Sequence, residues 1–410
     1  MSNSDRLEDI LVNHYEIYPR TQIQDMVKLI YQSEFAGGHM VDNKAESLKR
    51  LREEMTSVLN TSGSEAMARS MCSCSTTGIQ DVSGYAAICA DAAAGMDGQT
   101  KPVTVSGLFE DIGNGLCRLH LRGLKSLPVS LETINGFFVY TANSNKGSMA
   151  DFEDKLDVLR DLCRRGILPY SVSDLDEYLS AYKMRGYPPV SHSDDYREAY
   201  SPAYRVVSSV FMEYFEVFCR IDALIGRMNK QPVRNIAGAI RSVNVAIEGN
   251  SGAGKSSLAA LLQQIYDCNV FHMDHFFLTP VLRTEERLRE AGGNVDYVRF
   301  KKEVIDGLRS GNEFSYQTYD CSKGSLDQIV KVEPKILNII EGSYSMHPTL
   351  ADSYDLKIFL GIGAEEQSRR ILERNGSFMH EKFISLWIPL ENRYFSELDI
   401  ASQCDIVYNG

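Results

Sequence analysis

What this chain does not contain narrows its reading first. No apolar run in its 410 residues approaches the length that a bilayer-crossing helix needs. Its start, M-S-N-S-D-R-L-E-D, lacks the basic-then-apolar order of a secretory signal. Positive charge is in deficit: 43 Lys and Arg stand against 55 Asp and Glu, a formal net charge of −12. That balance argues against nucleic acid or an anionic membrane as the main partner. The nine cysteines, without a secretion signal, read as reduced thiols and point to a cytoplasmic chain. No internal repeat of fixed period is found. Hydrophobic content of 43% and charged content of 24% are those of an ordinary soluble globular protein long enough for two domains.

What is there is organised around residues 243–257, V-N-V-A-I-E-G-N-S-G-A-G-K-S-S. An apolar run ends in a loop that fills every fixed position of the phosphate-binding P-loop, from Gly249 through Asn250, Ser251, Gly252, Ala253, Gly254, Lys255 and Ser256 to Ser257. Glycines let the backbone curl so that successive N–H groups face phosphate oxygens, and the helix that follows adds its positive end. Lys255 is placed to reach the β- and γ-phosphates and Ser256 to ligate Mg²⁺. Leu258, Leu261, Leu262 and Ile265 recur at helical spacing afterwards, so strand, loop and helix follow in the order the motif requires. The cofactors implied are ATP and Mg²⁺.

The first half reads as mainly helical. Leu7, Ile10 and Leu11 form one helical face that ends near Pro19. Thr21 with Gln24 predicts a capping box for a helix on Ile23, Val27 and Ile30, which Gly37-Gly38 breaks. Leu48, Leu51, Met55 and Leu59 mark a third helix, and residues 60–102 dissolve into a loop-rich stretch. Residues 131–140, containing I-N-G-F-F-V-Y, read as a strand, and Phe152, Leu156, Leu159 and Cys163 as a helix that Gly166 ends. Cys72-Ser73-Cys74 is spaced too closely for zinc, and Cys117 with His120 lacks a second ligand pair, so both read as plain thiols. The tyrosine-rich segment 182–204 is either a polar aromatic surface or a proline-broken loop packing its rings on the core, the second being favoured. A long helix over 203–228 and a boundary within 229–241 complete this half.

The second half alternates strands, at 243–247, 269–273, 336–340, 356–360 and 405–408, with helical patterns, one of them carrying Tyr297, Phe300, Val304, Ile305 and Leu308. That rhythm predicts a parallel sheet with helices on both faces. The expectation is therefore an α/β P-loop NTPase domain over 236–410, preceded by a mainly helical α+β domain over 1–235.

Asp274 ends the second of these strands, where a carboxylate either takes a proton from an attacking hydroxyl or caps the next element. Glu341 ends the third, a position suited to orienting a metal's water shell. Arg369, Arg370 and Arg374 lie on a predicted helix, as a lid over the triphosphate or as a solvated face paired with Glu365, Glu366 and Glu373.

The ordered set G-N-S-G-A-G-K-S-S, H-M-D-H-F-F, D-Y-V-R-F with Y-Q-T-Y-D, and I-I-E-G-S-Y resembles the uridine kinase and phosphoribulokinase family of P-loop kinases, over residues 242–410. The resemblance implies that Asp274 is the base for the acceptor hydroxyl, that Phe276 and Phe277 help form the acceptor pocket with Tyr319 and Asp320, and that the lid arginine is among Arg369, Arg370 and Arg374. C-S-K-G-S-L-D-Q lacks the His and Arg that usually follow the Tyr-Asp pair in uridine kinases, and His275 and Phe277 replace the acidic residue and tyrosine often found after the base. The implied activity is phosphoryl transfer from ATP to a hydroxyl of a small metabolite, a nucleoside being the leading acceptor. The rival is an ATP-hydrolysing switch whose N-terminal domain binds a partner. Neither a nucleic acid nor a membrane is expected as partner, and a homo-oligomer is left open.

Overall fold

The computed structural model describes residues 3–38, 40–60, 107–230 and 241–410. The loop-rich stretch after residue 60, with Cys72 and Cys74, and the centre of the expected domain boundary lie outside the described residues. The chain divides into two compact units, Met1–Cys219 and Arg220–Gly410.

The first unit is mainly helical around a small sheet. Helix α1 (Asn3–Ile17) and helix α2 (Ile23–Phe35) bury Leu7, Leu11, Met26, Val27 and Ile30. The cap of α2 falls one residue later than the predicted Thr21 and Gln24 box: the Gln22 N–H donates to Asp25 Oδ2 at 3.0 Å. Thr21 instead donates its hydroxyl to the Tyr18 carbonyl. Ala36 and Gly38, both at positive φ, end the helix. Helix α3 spans Lys44–Asn60. Strands β1 (Phe109–Gly113), β2 (Leu116–His120) and β3 (Tyr204–Ser208) form an antiparallel sheet in that order.

Two expectations fail in this unit. Residues 131–140 are not a strand but most of helix α4 (Leu131–Ser144). The Ser130 hydroxyl accepts from the Thr133 N–H at 3.1 Å, and Ile134, Phe137 and Thr141 then fall on one buried face. The long helix expected from residue 203 starts only at Phe215 (α8, Phe215–Lys230), because Tyr204–Ser208 pairs with β2 as the third strand. Helix α5 (Met149–Arg164) and helix α6 (Val172–Met184) bring Phe152, Leu156, Leu159 and Tyr182 to the same core as α1 and α2. In the tyrosine-rich segment, which includes helix α7 (Asp194–Tyr200), Tyr182 and Tyr196 are buried. His192 stacks on Tyr196 at 4.1 Å and is held by Asp25 at 2.8 Å and the Tyr204 hydroxyl at 2.5 Å.

The second unit has the α/β P-loop NTPase fold. Its five strands, β4 (Val243–Gly249), β5 (Cys268–His272), β8 (Leu337–Glu341), β9 (Leu356–Gly361) and β10 (Ile406–Asn409), lie in the order β10-β9-β4-β8-β5, all parallel. The central strands are buried along nearly their whole length, as a sheet covered on both faces requires. Helix α9 (Lys255–Ile265) follows β4 directly. A hairpin that the sequence reading did not contain, β6 (Phe314–Asp320) with β7 (Ser325–Val332), stands apart from the main sheet. The pattern through Tyr297 and Leu308 is helical but widens into a π turn at Lys301–Ile305. After β9 comes a long arm: helix α10 (Ala364–Lys382), a π turn at Phe383–Trp387, and helix α11 (Ile388–Glu397).

Candidate functional site

The carboxyl ends of β4, β5 and β8 meet at one edge of the sheet, where the register sets Ile247 beside Glu341 and Glu341 beside His272. A cleft of about 630 Å³ opens there. This is where an open parallel sheet places its ligands.

The loop between β4 and α9 builds the floor. Gly249 (φ 143) passes so close to β9 that a Cβ would stand 2.0 Å from the Leu360 carbonyl oxygen, so only glycine fits. Gly252 (φ 80) and Gly254 (φ 101) complete the curl, and α9 begins at Lys255. Ser251, Gly252, Gly254, Lys255, Ser256 and Ser257 line the cleft. Gly249, Asn250 and Ala253 form the loop's supporting side, with the Asn250 N–H on the Leu360 carbonyl at 3.1 Å. Lys255 Nζ donates to the Gly249 carbonyl at 2.7 Å, the Asn250 carbonyl at 2.9 Å and Ser343 Oγ at 3.2 Å. The ammonium is thus held across the loop, facing the space it encloses.

Glu248, one residue before the loop, is fully buried. It accepts from the N–H groups of Gly249, Tyr344 and Met346 and from the Tyr394 hydroxyl. Burial pushes its carboxyl up to about 7 in spite of those four donors. It cross-ties the ends of β4 and β8 with α11.

The acidic side of the cleft gathers three carboxylates. Glu341 accepts from Ser256 Oγ at 3.1 Å on each oxygen and from His272 Nδ1 at 2.5 Å. That bond raises the imidazole above its ordinary range. Asp274 lies inside the short turn Met273–Phe276, preceded by His272, and so does not cap it. Its side chain lines the cleft and stays exposed to solvent there. The cleft walls limit the water around it and raise its carboxyl above the usual range, and Glu341 and Glu391 raise it further. Lys255 and His272 pull the other way.

The donor set fits Mg²⁺. Ser256 and Glu341 lie within hydrogen-bond distance beside the loop and would hold such a cation, whose charge would offset the negative charge gathered there. Among the described residues no cluster of three or more His, Cys, Asp and Glu has metal-binding geometry.

The remaining predicted residues divide. Phe277, Arg370 and Arg374 line the cleft, and Arg370 Nη1 reaches the Gly252 carbonyl at 3.3 Å. Arg369 turns away into an exposed ion-pair group with Glu366 and Glu373, the solvated reading of that helix. Phe276 is fully buried, packed on Phe300 and Tyr316 under the Arg299 guanidinium at 4.2 Å. Tyr319 and Asp320 stand at the end of β6 outside the cleft wall. There Asp320 caps its own turn through Ser322, which holds its carboxyl down to about 2. Their neighbour Cys321 does line the cleft. Cys117 is buried in β2, its thiol directed to the Val207 carbonyl at 3.5 Å.

Sequence reasoning missed Ser343, Tyr344, Asn294 and Glu391, and the wall that Met379, Phe383 and Trp387 contribute. Ser343 and Tyr344 follow Glu341-Gly342 directly, so proximity to that strand end was a usable signal. Nothing local marked the others.

No family model matches the chain, and no curated protein matches it. Solved structures do. A possible uridine kinase from Bacillus stearothermophilus is 18% identical, covers 47% of this chain and 100% of its own, and superposes with a TM-score of 0.34. D-glycerate 3-kinase from Cryptococcus neoformans var. grubii is 16% identical, covers 43% of this chain and 87% of its own, with a TM-score of 0.33. The chain is similar to such P-loop kinases over less than half its length. Among the described residues no helix is long and apolar enough to cross a membrane.

Proposed function

We propose that the second unit is a Mg-ATP-dependent kinase that phosphorylates a hydroxyl of a small uncharged metabolite, a nucleoside being the favoured class. One observation supports the reading: the glycine-rich loop, with its lysine held across it, opens into the same cleft as the carboxylates Asp274 and Glu341. The amides of Gly252 to Ser257 and the start of α9 would hold the phosphates. Lys255, with Arg370 and Arg374 from the arm, would neutralise charge on the transferring group. Ser256 and Glu341 would hold Mg²⁺, which supplies charge compensation to the polyphosphate. Asp274 would orient the acceptor hydroxyl and take its proton, and a raised proton affinity suits that task.

The rest of the lining supports a nucleoside as the acceptor. Phe277, Met379, Phe383 and Trp387 offer an apolar, largely aromatic surface, with Phe383 and Trp387 edge to face at 4.6 Å. A flat base can pack there. Among the described residues lining the cleft the cations are Lys255, Arg370 and Arg374, which the phosphates would engage, and this supports an uncharged acceptor beside Asp274.

The test is incubation with Mg-ATP and pooled nucleosides, sugars and vitamin precursors, looking by mass spectrometry for a product one phosphoryl group heavier. Lys255→Ala is expected to abolish ATP binding and turnover together. Asp274→Asn is expected to keep ATP binding and lose turnover by at least about 100-fold. Full activity in Asp274→Asn would refute the base, and no phosphorylated product from any pool would refute the kinase.

A further inference from the structure

Glu391 lies 140 residues from Ser251 in sequence, inside α11, and is 4% exposed. Each of its hydrogen bonds comes from a cleft residue. The Ser251 N–H donates to it at 3.0 Å, the Ser251 hydroxyl at 2.5 Å and the Ser343 hydroxyl at 2.9 Å. Ser343 Oγ in turn accepts from Lys255 Nζ at 3.2 Å and lies 3.0 Å from the Gly249 carbonyl. A carboxylate, a serine and the loop lysine therefore form one chain of contacts.

The arm that carries Glu391 grips the same loop at two other points. Gln367 Nε2 donates to the Ser251 carbonyl at 2.9 Å, and Arg370 Nη1 to the Gly252 carbonyl at 3.3 Å. Between these contacts and Glu391 the arm is jointed. Gly376 (φ 75, ψ 170) breaks α10, and the π turn Phe383–Trp387 precedes α11. Without Glu391, the half of the arm beyond Gly376 would lose its carboxylate tie to the loop.

Two costs weigh against a carboxylate at this place. Burial strips it of water, so an apolar residue would suffice if α11 only had to pack. Its charge also adds to that of Glu341 in raising Asp274. A role within the site accounts for both.

We propose that Glu391 is a positioning residue for phosphoryl transfer. It fixes Ser251 and Ser343, and through Ser343 the Lys255 ammonium, so that the jointed arm bearing Arg370 and Arg374 and the phosphate loop hold one geometry. This rests on the kinase reading. It goes beyond that reading in assigning a role to a residue remote from the motif.

The test uses the full-length chain with Glu391→Gln, Glu391→Asp, Ser343→Ala and the double variant Glu391→Gln/Ser343→Ala. Mg-ATP affinity is read by calorimetry, ATP turnover with and without the acceptor pool, and folding by thermal melting. Glu391→Gln is expected to lower kcat about 10- to 100-fold, the range for hydrogen bonds to a charged group. Mg-ATP affinity is expected to stay within about threefold, since the main phosphate-binding amides are untouched. Glu391→Asp should recover part of the rate, and the double variant should be no slower than the slower single, because both changes break one linkage. Wild-type turnover in Glu391→Gln, losses that multiply in the double variant, or a rate loss explained by unfolded protein would each overturn the positioning role while leaving the kinase standing. A wild-type chain that neither binds Mg-ATP nor turns it over would remove the kinase reading and this role with it.

Discussion

In the proposed reaction Asp274 has to ionise beside other carboxylates, and its environment decides at what pH it would serve as a base. Restricted hydration inside the cleft disfavours its charged form most, Glu341 and Glu391 add to the penalty, and Lys255 and His272 offset part of it. Its proton therefore comes off at higher pH than from an ordinary aspartate, about 3.9. Because the base must be deprotonated, kcat/KM is expected to fall on the acid side through a pKa above that value. A pH–rate profile checks this. An acid limb at or below the ordinary aspartate value, or one that persists unchanged in the residual activity of Asp274→Asn, would contradict it. His272 shows how neighbours divide the work: its bond to Glu341 raises its own pKa while its charge lowers that of Asp274. At this scale the motif residues were legible because the P-loop is contiguous in sequence, whereas the reason only glycine fits at Gly249, a 2.0 Å approach to Leu360 on β9, appears only in the folded chain.

Among the elements, α4 is the instructive case. Its apolar run reads as a strand when weighed by residue type, yet the N-cap at Ser130 and the spacing of Ile134, Phe137 and Thr141 suit a helix, and packing settles the choice. Phe137 is fully buried, stacked on Phe211 at 4.1 Å and edge-on to Phe218 at 4.7 Å. Phe137→Ala is expected to destabilise the first unit by about 3–5 kcal/mol, and Phe137→Leu by clearly less. Denaturant unfolding followed by hydrogen exchange in α4 measures it, and a cost below about 1 kcal/mol would show that this face is not part of the core. Strand β3 was misread for a related reason. Residues 204–208 acquire strand geometry by pairing with β2, a partner distant in sequence.

At the scale of the whole molecule, the two units bury charge differently. The second concentrates carboxylates around a cleft, whereas the first encloses a hydrogen-bonded set inside its core. Arg118, fully buried, donates to Gln32 at 3.0 and 2.8 Å, Glu110 is held by His14 at 2.7 Å, and Asp25 by His192. Burial lowers His192 to about 4 and lowers His14 as well. Folded-state values below the unfolded value mean that both favour folding fully only above about 6.5, and that this stability is lost as pH falls toward 4. For His192 the effect is on the order of 3 kcal/mol. Hydrogen exchange on the full chain should therefore show protection in β1, β2 and β3 falling between pH 6.5 and pH 4. Protection that holds constant across that window would refute the buried neutral imidazoles. The sequence by itself determined the glycine-rich loop, the alternation of strands and helices behind it, and the acidic residues Asp274 just after one strand and Glu341 at the end of another, because each is written in neighbouring residues and short periods. Tertiary structure alone decided that Glu391 joins the loop, that Arg370 faces it while Arg369 does not, and that Phe276 is core while Phe277 lines the cleft. Those outcomes depend on how helices pack onto a sheet and on a break at Gly376, which set contacts across as many as 140 residues that no local pattern encodes.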